Sequence, residues 1–194
     1  MGIEVKTHPA TFDYQMRYMP WDDMCDIARR NGYKSHNTDT CGLHVHISKR
    51  GFGDDHTSID YGIARFVFLI DKFWPQIVKF SRRTEQSIDR WAQSYRLANK
   101  QSVEDISNEA YSKNDNGRHY CVNMRRTGTV EVRVFKGTLN PRTIRASIQL
   151  CEILRQLAVY RSLTELSDMT WDKFKSEIPD TYEELIEYMK KRGL

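Results

Sequence analysis

Two segments of the chain alternate apolar and polar residues, which is the pattern of a β-strand with one buried and one exposed face. In residues 41–48, leucine, valine and isoleucine share one side, and the other side carries His44, His46 and Ser48. In residues 129–135, three valines share one side, and the other side carries Glu131 and Arg133. The pattern therefore predicts two strands that each present a face of reactive side chains.

Apolar residues at helical spacing predict helices along much of the remaining chain. They are expected over 21–30, from about 58 with a kink or break at Pro75, in part of 82–113, from Pro141 onwards, and over 171–177 and 181–191. Strands are also expected over 2–7, 119–125 and 129–136, with a hairpin through 126–128 and a turn over 114–117. These elements predict an α/β (α+β) fold, a mainly antiparallel sheet with helices on one face, in a single domain over 1–194.

The composition is typical of a folded protein, with 39% hydrophobic and 29% charged residues. The net charge of +4 permits an anionic ligand, but the basic residues are spread out, so no nucleic-acid partner is expected. Short basic runs such as Arg82-Arg83 are expected on solvated faces. The chain has neither an apolar run near the roughly 20 residues that span a bilayer nor a secretory signal, so we expect no membrane partner. Four cysteines without CxxC spacing indicate reduced thiols and a cytoplasmic protein.

The two histidines of the first strand are two residues apart, so their rings leave the same face roughly 7 Å apart. One ring could bind a metal ion while the other donates a hydrogen bond to a ligand. Two solvent-facing histidines on an edge strand would give the same pattern, and the pair alone leaves this alternative open.

Glu131 and Arg133 share the polar face of a strand whose other residues are strongly apolar. Such a strand is expected at the centre of a sheet, where an unpartnered glutamate is costly. A carboxylate suits a hard metal ion, and a guanidinium matches phosphate oxygens. The alternative is a pair of solvent-facing charges on a hairpin.

Three segments together resemble the amidoligase family: 42–48 (GLHVHIS), 118–123 (RHYCVN) and 129–140 (TVEVRVFKGTLN). The likeness runs from residue 2 to about 160, which makes this the motif-bearing part of an amidoligase-like domain, followed by C-terminal helices over 161–194. That family belongs to the glutamine synthetase and glutamate–cysteine ligase superfamily of carboxylate–amine ligases.

The resemblance implies an enzyme that uses ATP and Mg²⁺ (or Mn²⁺) to join a carboxylate to an amine through an acyl phosphate. The substrates would be small molecules or peptides. By the family's pattern, Glu4, His44 and Glu131 would bind the metal ion. The catalytic and nucleotide-binding residues would be His46, Arg118 and Arg133. His46 would lie against ATP phosphate or the substrate carboxylate, Arg133 would neutralise the transferring phosphate, and Arg118 would help to bind nucleotide or the acidic substrate. Asn123 would order the hairpin.

Members of the superfamily usually begin with a Glu-x-Glu strand, and the nearest sequence here is Glu4-Val5-Lys6. We therefore expect an N-terminally shortened, glutamine-synthetase-like domain, whose site an upstream segment, a homo-oligomer or a partner chain would complete. One alternative is a catalytically reduced module of the same fold that binds nucleotide or another ligand without turnover. Another is a metal-dependent hydrolase. Substrate specificity is expected to lie in residues 49–57 and 82–116.

Overall fold

The computed structural model describes residues 3–35, 38, 41–97, 99–100, 102–115 and 119–194, with the backbone alone at Asp115. The N-terminal half contains α1 (Phe12–Arg17), α2 (Trp21–Arg30), β1 (Gly42–Ser48), α3 (His56–Lys72), α4 (Trp74–Ser81), α5 (Glu85–Trp91) and α6 (Val103–Asp115). The C-terminal half contains β2 (Val122–Asn123), β3 (Thr129–Lys136), α7 (Pro141–Tyr160), α8 (Leu163–Asp168), α9 (Trp171–Ser176) and α10 (Glu183–Arg192).

Three antiparallel strands form a sheet in the order β1-β3-β2. The predicted central position of Glu131 is confirmed, because β3 has a neighbour on each side. The valines of β3 are buried on the face that packs against helices, and α4, α5 and α7 all contact the sheet. The mixed fold with an antiparallel sheet is therefore confirmed, although helices outweigh the sheet.

Local chemistry accounts for the starts of the two longest helices and for the end of the first. A capping box at Asp55 and Ser58 starts α3, and Asn140 accepts a hydrogen bond at the start of α7. The predicted break near Pro75 is confirmed: α3 ends at Lys72, and Pro75 lies in the first turn of α4, where its missing N–H costs nothing.

Three expectations are wrong or only partly met. The described part of 2–7 forms no strand, and Ile3 and Val5 lie exposed without a neighbouring strand to pair with. The strand expected over 119–125 shrinks to β2, and the turn expected over 114–117 begins inside α6, with Asn116 and Gly117 outside the described residues. The pattern also missed α8, which a capping box at Ser162 and Glu165 begins.

The cysteines are free thiols, as expected from their spacing. Cys25, Cys121 and Cys151 are buried, and burial raises the pKa of each thiol above its ordinary value. Among the helices of the described chain, none combines the length and apolarity that a bilayer crossing requires.

Candidate functional site

A β-bulge sets the arrangement of side chains on the polar face of the sheet. Leu43 pairs with Phe135 and Val45 pairs with Val132, so two residues of β3 lie opposite His44 alone. Further along, His46 lies directly opposite Glu131. The register therefore brings the histidines of β1 beside the carboxylate and the guanidinium of β3.

Arg83, which lies between α4 and α5, donates hydrogen bonds to the main chain at the bulge. Its guanidinium donates to the main-chain carbonyls of Val134 at 3.0 Å and Arg133 at 3.2 Å, and to Ser87 Oγ at 2.9 Å. Burial, and next the charge of Arg133, lower the pKa of Arg83. The expectation that Arg82-Arg83 is only a solvated run is thus wrong for Arg83, because carbonyls freed by the bulge need donors.

Gly42 leaves room for the ends of the Arg83 and His44 side chains. A Cβ atom at Gly42 would lie 2.9 Å from His44 Nε2 and 3.0 Å from Arg83 Nη2. A larger residue would displace one of these two side chains. Gly42, the first residue of β1, therefore makes room for the side chain of His44.

Glu131 is the centre of the polar face, with its side chain only 3% exposed. His44 Nδ1 lies 2.9 Å and Arg133 Nη1 3.3 Å from Oε1, and His46 Nε2 lies 3.8 Å from the same oxygen. Asn123 Nδ2 donates to Oε2 at 2.9 Å, and Arg126 Nε lies 3.6 Å from Oε2. We refer to these six side chains as the Glu131 cluster.

The charge state of the Glu131 cluster follows from these contacts. Burial raises the pKa of Glu131, but the hydrogen bonds of His44 and Asn123 and the charge of Arg133 outweigh it and hold that pKa well below its ordinary value. Burial lowers the pKa of His46 despite the opposing charge of Glu131. At neutral pH two guanidiniums therefore face one carboxylate, which leaves the cluster positively charged and suited to an anion.

The cluster opens to solvent along β1. The side chains of His44 and His46 are 32% and 42% exposed, and that of Arg133 is 19% exposed. Arg133 Nε is buried without a hydrogen-bond partner among the described residues, so Glu131 does not satisfy this guanidinium fully. From the open side, an incoming anion can reach the two histidines and the exposed part of Arg133, but not its buried Nε.

The donor types for a divalent metal ion are present, but their arrangement is not that of a metal site. Across the described residues, no group of three His, Cys, Asp or Glu side chains is placed to hold a metal ion. Each oxygen of Glu131 faces a guanidinium, which repels a cation. The residues as they stand do not fit a resident Mg²⁺ or Mn²⁺ ion, and ligation by His44 and Glu131 stays a prediction of the resemblance.

One predicted site residue, Glu4, lies apart from the cluster, and a second falls outside the described residues. The Glu4 side chain is 73% exposed and pairs with Lys6 at 3.7 Å, and it is not among the groups that contact Glu131. Arg118 lies outside the described residues. The expectations for both residues stay predictions.

Sequence reasoning missed three members of the site or its support: Arg126 as a partner of Glu131, Arg83 beneath the bulge, and Asn123 as a donor to Glu131. The predicted ordering role of Asn123 is also met, since its Oδ1 accepts from Arg125 N at 3.1 Å. A hairpin centred on 127 places position 123 opposite 131, so the sequence did contain a signal for Asn123. Arg83 is about fifty residues from its partners and left no such signal.

Comparison with known proteins identifies the family of this chain. The model of the family described as "Putative amidoligase enzyme" matches residues 1–155, which include β1, β2, β3 and most of α7. Neither the curated proteins nor the solved structures contain a match to this chain. Because the match covers well over half of the 194 residues and contains the Glu131 cluster, the chain belongs to the amidoligase family.

Proposed function

We propose that this protein is an ATP-dependent carboxylate–amine ligase whose reacting anions bind at the Glu131 cluster. The observation that carries the proposal is the pairing of two guanidiniums with a single buried carboxylate beside two exposed histidines. Family membership supports a ligase-type reaction. The resemblance of the sequence motifs implies the glutamine synthetase superfamily, and this implication supports the finer assignment to ATP and an acyl phosphate.

The proposed reaction has two steps. A carboxylate oxygen of the acid attacks the γ-phosphorus of ATP, the bond to the β-γ bridging oxygen breaks, and ADP leaves. The amine nitrogen then attacks the carbonyl carbon of the acyl phosphate, inorganic phosphate leaves, and the nitrogen loses a proton to give the amide. Both steps concentrate negative charge on phosphoryl oxygens, which fixed cationic donors stabilise.

The cluster residues divide this work between binding and positioning. In the proposal, Arg133 and Arg126 stabilise the charge on the transferred phosphoryl group, and Arg118 adds a further cation. His46, neutral because burial lowers its pKa, exchanges hydrogen bonds with the ligand without adding charge. Glu131 positions both arginines and His44, since it contacts all three side chains.

Mg²⁺ or Mn²⁺ would accompany ATP in this proposal and neutralise phosphate charge. The described residues do not hold such an ion among themselves, so we assign it no step. The assay below therefore tests directly whether the reaction requires Mg²⁺ or Mn²⁺.

A hydroxylamine-trapping assay tests the function without knowledge of the amine substrate. Hydroxylamine converts an acyl phosphate into a hydroxamate, so a panel of carboxylic acids and free-acid peptides can be screened with ATP, with Mg²⁺, Mn²⁺ or a chelator. We expect ATP-dependent hydroxamate from at least one acid, and a loss of roughly 100-fold in rate for Arg133→Gln.

Arg125→Gln is the matched control, because Arg125 is exposed in the same hairpin and its side chain is not among the contacts of Glu131. It should retain the native rate. A folded Glu131→Ala or Arg133→Gln variant with the full ATP-dependent rate would refute the assignment of the site.

A second candidate is a module of the same fold that binds nucleotide or another anion without turnover. It is favoured by the lack of a three-ligand metal group among the described residues and by the exposed position of Glu4. Saturable nucleotide binding with no hydroxamate from any acid would select it over the ligase.

A further inference from the structure

A cleft of about 610 Å³ lies at the end of β1 beside the β2–β3 turn. Its lining comes from the residues after β1, the start of α3, the middle of α6 and the turn, and includes Lys49, Arg50, Asp60, Tyr111, Thr127 and Gly128. This volume lies within the range of small-molecule sites, which is roughly 300–1,000 Å³. We refer to it as the turn-end cleft.

The turn-end cleft is continuous with the polar face of the sheet. Ser48, which lines it, pairs with Thr129, two residues along the register from the pair His46 and Glu131. Two residues of a strand span roughly 7 Å. Thr129 Oγ1 also lies 3.4 Å from His46 Nδ1, so a ligand in the cleft would lie beside the Glu131 cluster.

The cleft carries charges of both signs. Lys49 and Arg50, which line it, are basic residues. Asp60 supplies a carboxylate: Tyr111 OH donates to its Oδ1 at 2.7 Å, and His56 Nδ1 lies 3.2 Å from its Oδ2. Burial and the hydrogen bond to Asp60 raise the pKa of Tyr111, so its hydroxyl stays a neutral donor.

Asp60 has the capacity to bind a cation as well. Each carboxylate oxygen accepts one protein contact and can accept another, and its side chain is 30% exposed. An ammonium group suits such a partly solvated carboxylate. A carboxylate on the same ligand would suit Lys49 and Arg50.

From this geometry we infer that the turn-end cleft binds the amine substrate of the proposed ligase. This substrate is an amino acid or short peptide whose free ammonium binds Asp60 and whose carboxylate binds Lys49 and Arg50. The inference rests on the proposed function, because the ligand of this cleft is an amine substrate only if the protein is a ligase. It also gives a physical basis to the expectation that residues 49–57 and 82–116 set specificity, because both segments line the cleft.

The test is a titration of the full chain with the dipeptide Ala-Ala, followed by amide NMR shifts. Two matched probes accompany it: N-acetyl-Ala-Ala, which lacks the ammonium, and Ala-Ala amide, which lacks the carboxylate. We expect Ala-Ala to shift the signals of residues around Asp60 and Tyr111, and each altered probe to bind at least tenfold more weakly.

The variant Asp60→Asn keeps the size of the side chain and can still accept from Tyr111, so it separates charge from folding. It should weaken Ala-Ala binding at least tenfold while binding of a non-hydrolysable ATP analogue is unchanged. Asp54→Asn, at an exposed aspartate outside the cleft lining, is the control and should bind Ala-Ala like the native chain.

Absence of Ala-Ala shifts at the cleft, equal binding of N-acetyl-Ala-Ala, or unchanged binding by Asp60→Asn would overturn the inference. Hydroxamate formation in the trapping assay would still stand in that case, because hydroxylamine needs no amine subsite. A failed trapping assay with intact Ala-Ala binding would instead refute the ligase and leave a zwitterion-binding cleft.

Discussion

At the scale of single residues, Glu131 has the most consequential environment in the site. Its carboxylate is buried, and five side chains surround it with amide, imidazole or guanidinium groups. A buried carboxylate is costly without partners, and here each oxygen has at least two. The same contacts that stabilise the charge hold Arg133 and His44 in position.

We expect Glu131→Gln to lower the free energy of unfolding by roughly 1–3 kcal/mol at pH 7, because it removes charge-assisted hydrogen bonds. The pKa of Glu131 is depressed in the folded state, so its contribution is complete above the ordinary value of 4.5 and is lost as the pH falls through the folded-state pKa. Urea unfolding at pH 7 and at progressively lower pH should therefore show the native and variant stabilities converging.

Glu4→Gln is the control for this measurement, since Glu4 is exposed and should change stability by no more than about 0.5 kcal/mol. A difference between native protein and Glu131→Gln that stays constant across the pH range would contradict the charged, partnered state of Glu131.

At the scale of elements, the bulge in β3 decides which side chains meet. The extra residue opposite His44 interrupts the regular ladder, and Arg83 supplies donors to the carbonyls of Arg133 and Val134. Without those donors the carbonyls would be left unpaired beneath the polar face. The bulge and Arg83 together therefore hold the geometry of the Glu131 cluster.

The change Arg83→Met is expected to destabilise the protein by roughly 2–4 kcal/mol, because three hydrogen bonds from a charged donor are lost. Arg30→Met, at an exposed end of α2, should stay within about 0.5 kcal/mol of the native value. Urea unfolding measures both. Equal stability of Arg83→Met and the native chain would show that the bulge does not depend on Arg83.

An element could be predicted from the sequence where the interactions that form it join residues close together along the chain. Alternation predicted β1 and β3, and a proline-led start predicted α7, because those signals are local. Over 3–7, the described part of the strand expected over 2–7, no strand forms, because alternation alone is not sufficient and the described residues offer no neighbouring strand to pair with. The role of Arg83 depends on contacts about fifty residues apart, and the bulge depends on the pairing of strands about ninety residues apart, so no local pattern contains them.

At the scale of the whole molecule, the family match and the cluster cover the same part of the chain. Residues 1–155 contain the three strands and the helices that pack behind them, and α8, α9 and α10 follow. The order of motifs was sufficient to name the family from the sequence. The contacts of Glu131 with Arg126 and Asn123 required the folded sheet.

The most direct test of the central claim is calorimetry of a non-hydrolysable ATP analogue, with and without Mg²⁺, against the native chain, Arg133→Gln and Arg125→Gln. If anions bind at the Glu131 cluster, the native chain and Arg125→Gln will bind alike, and Arg133→Gln will bind at least tenfold more weakly, about 1.4 kcal/mol. No binding by the native chain, or equal binding by both variants, would contradict the claim.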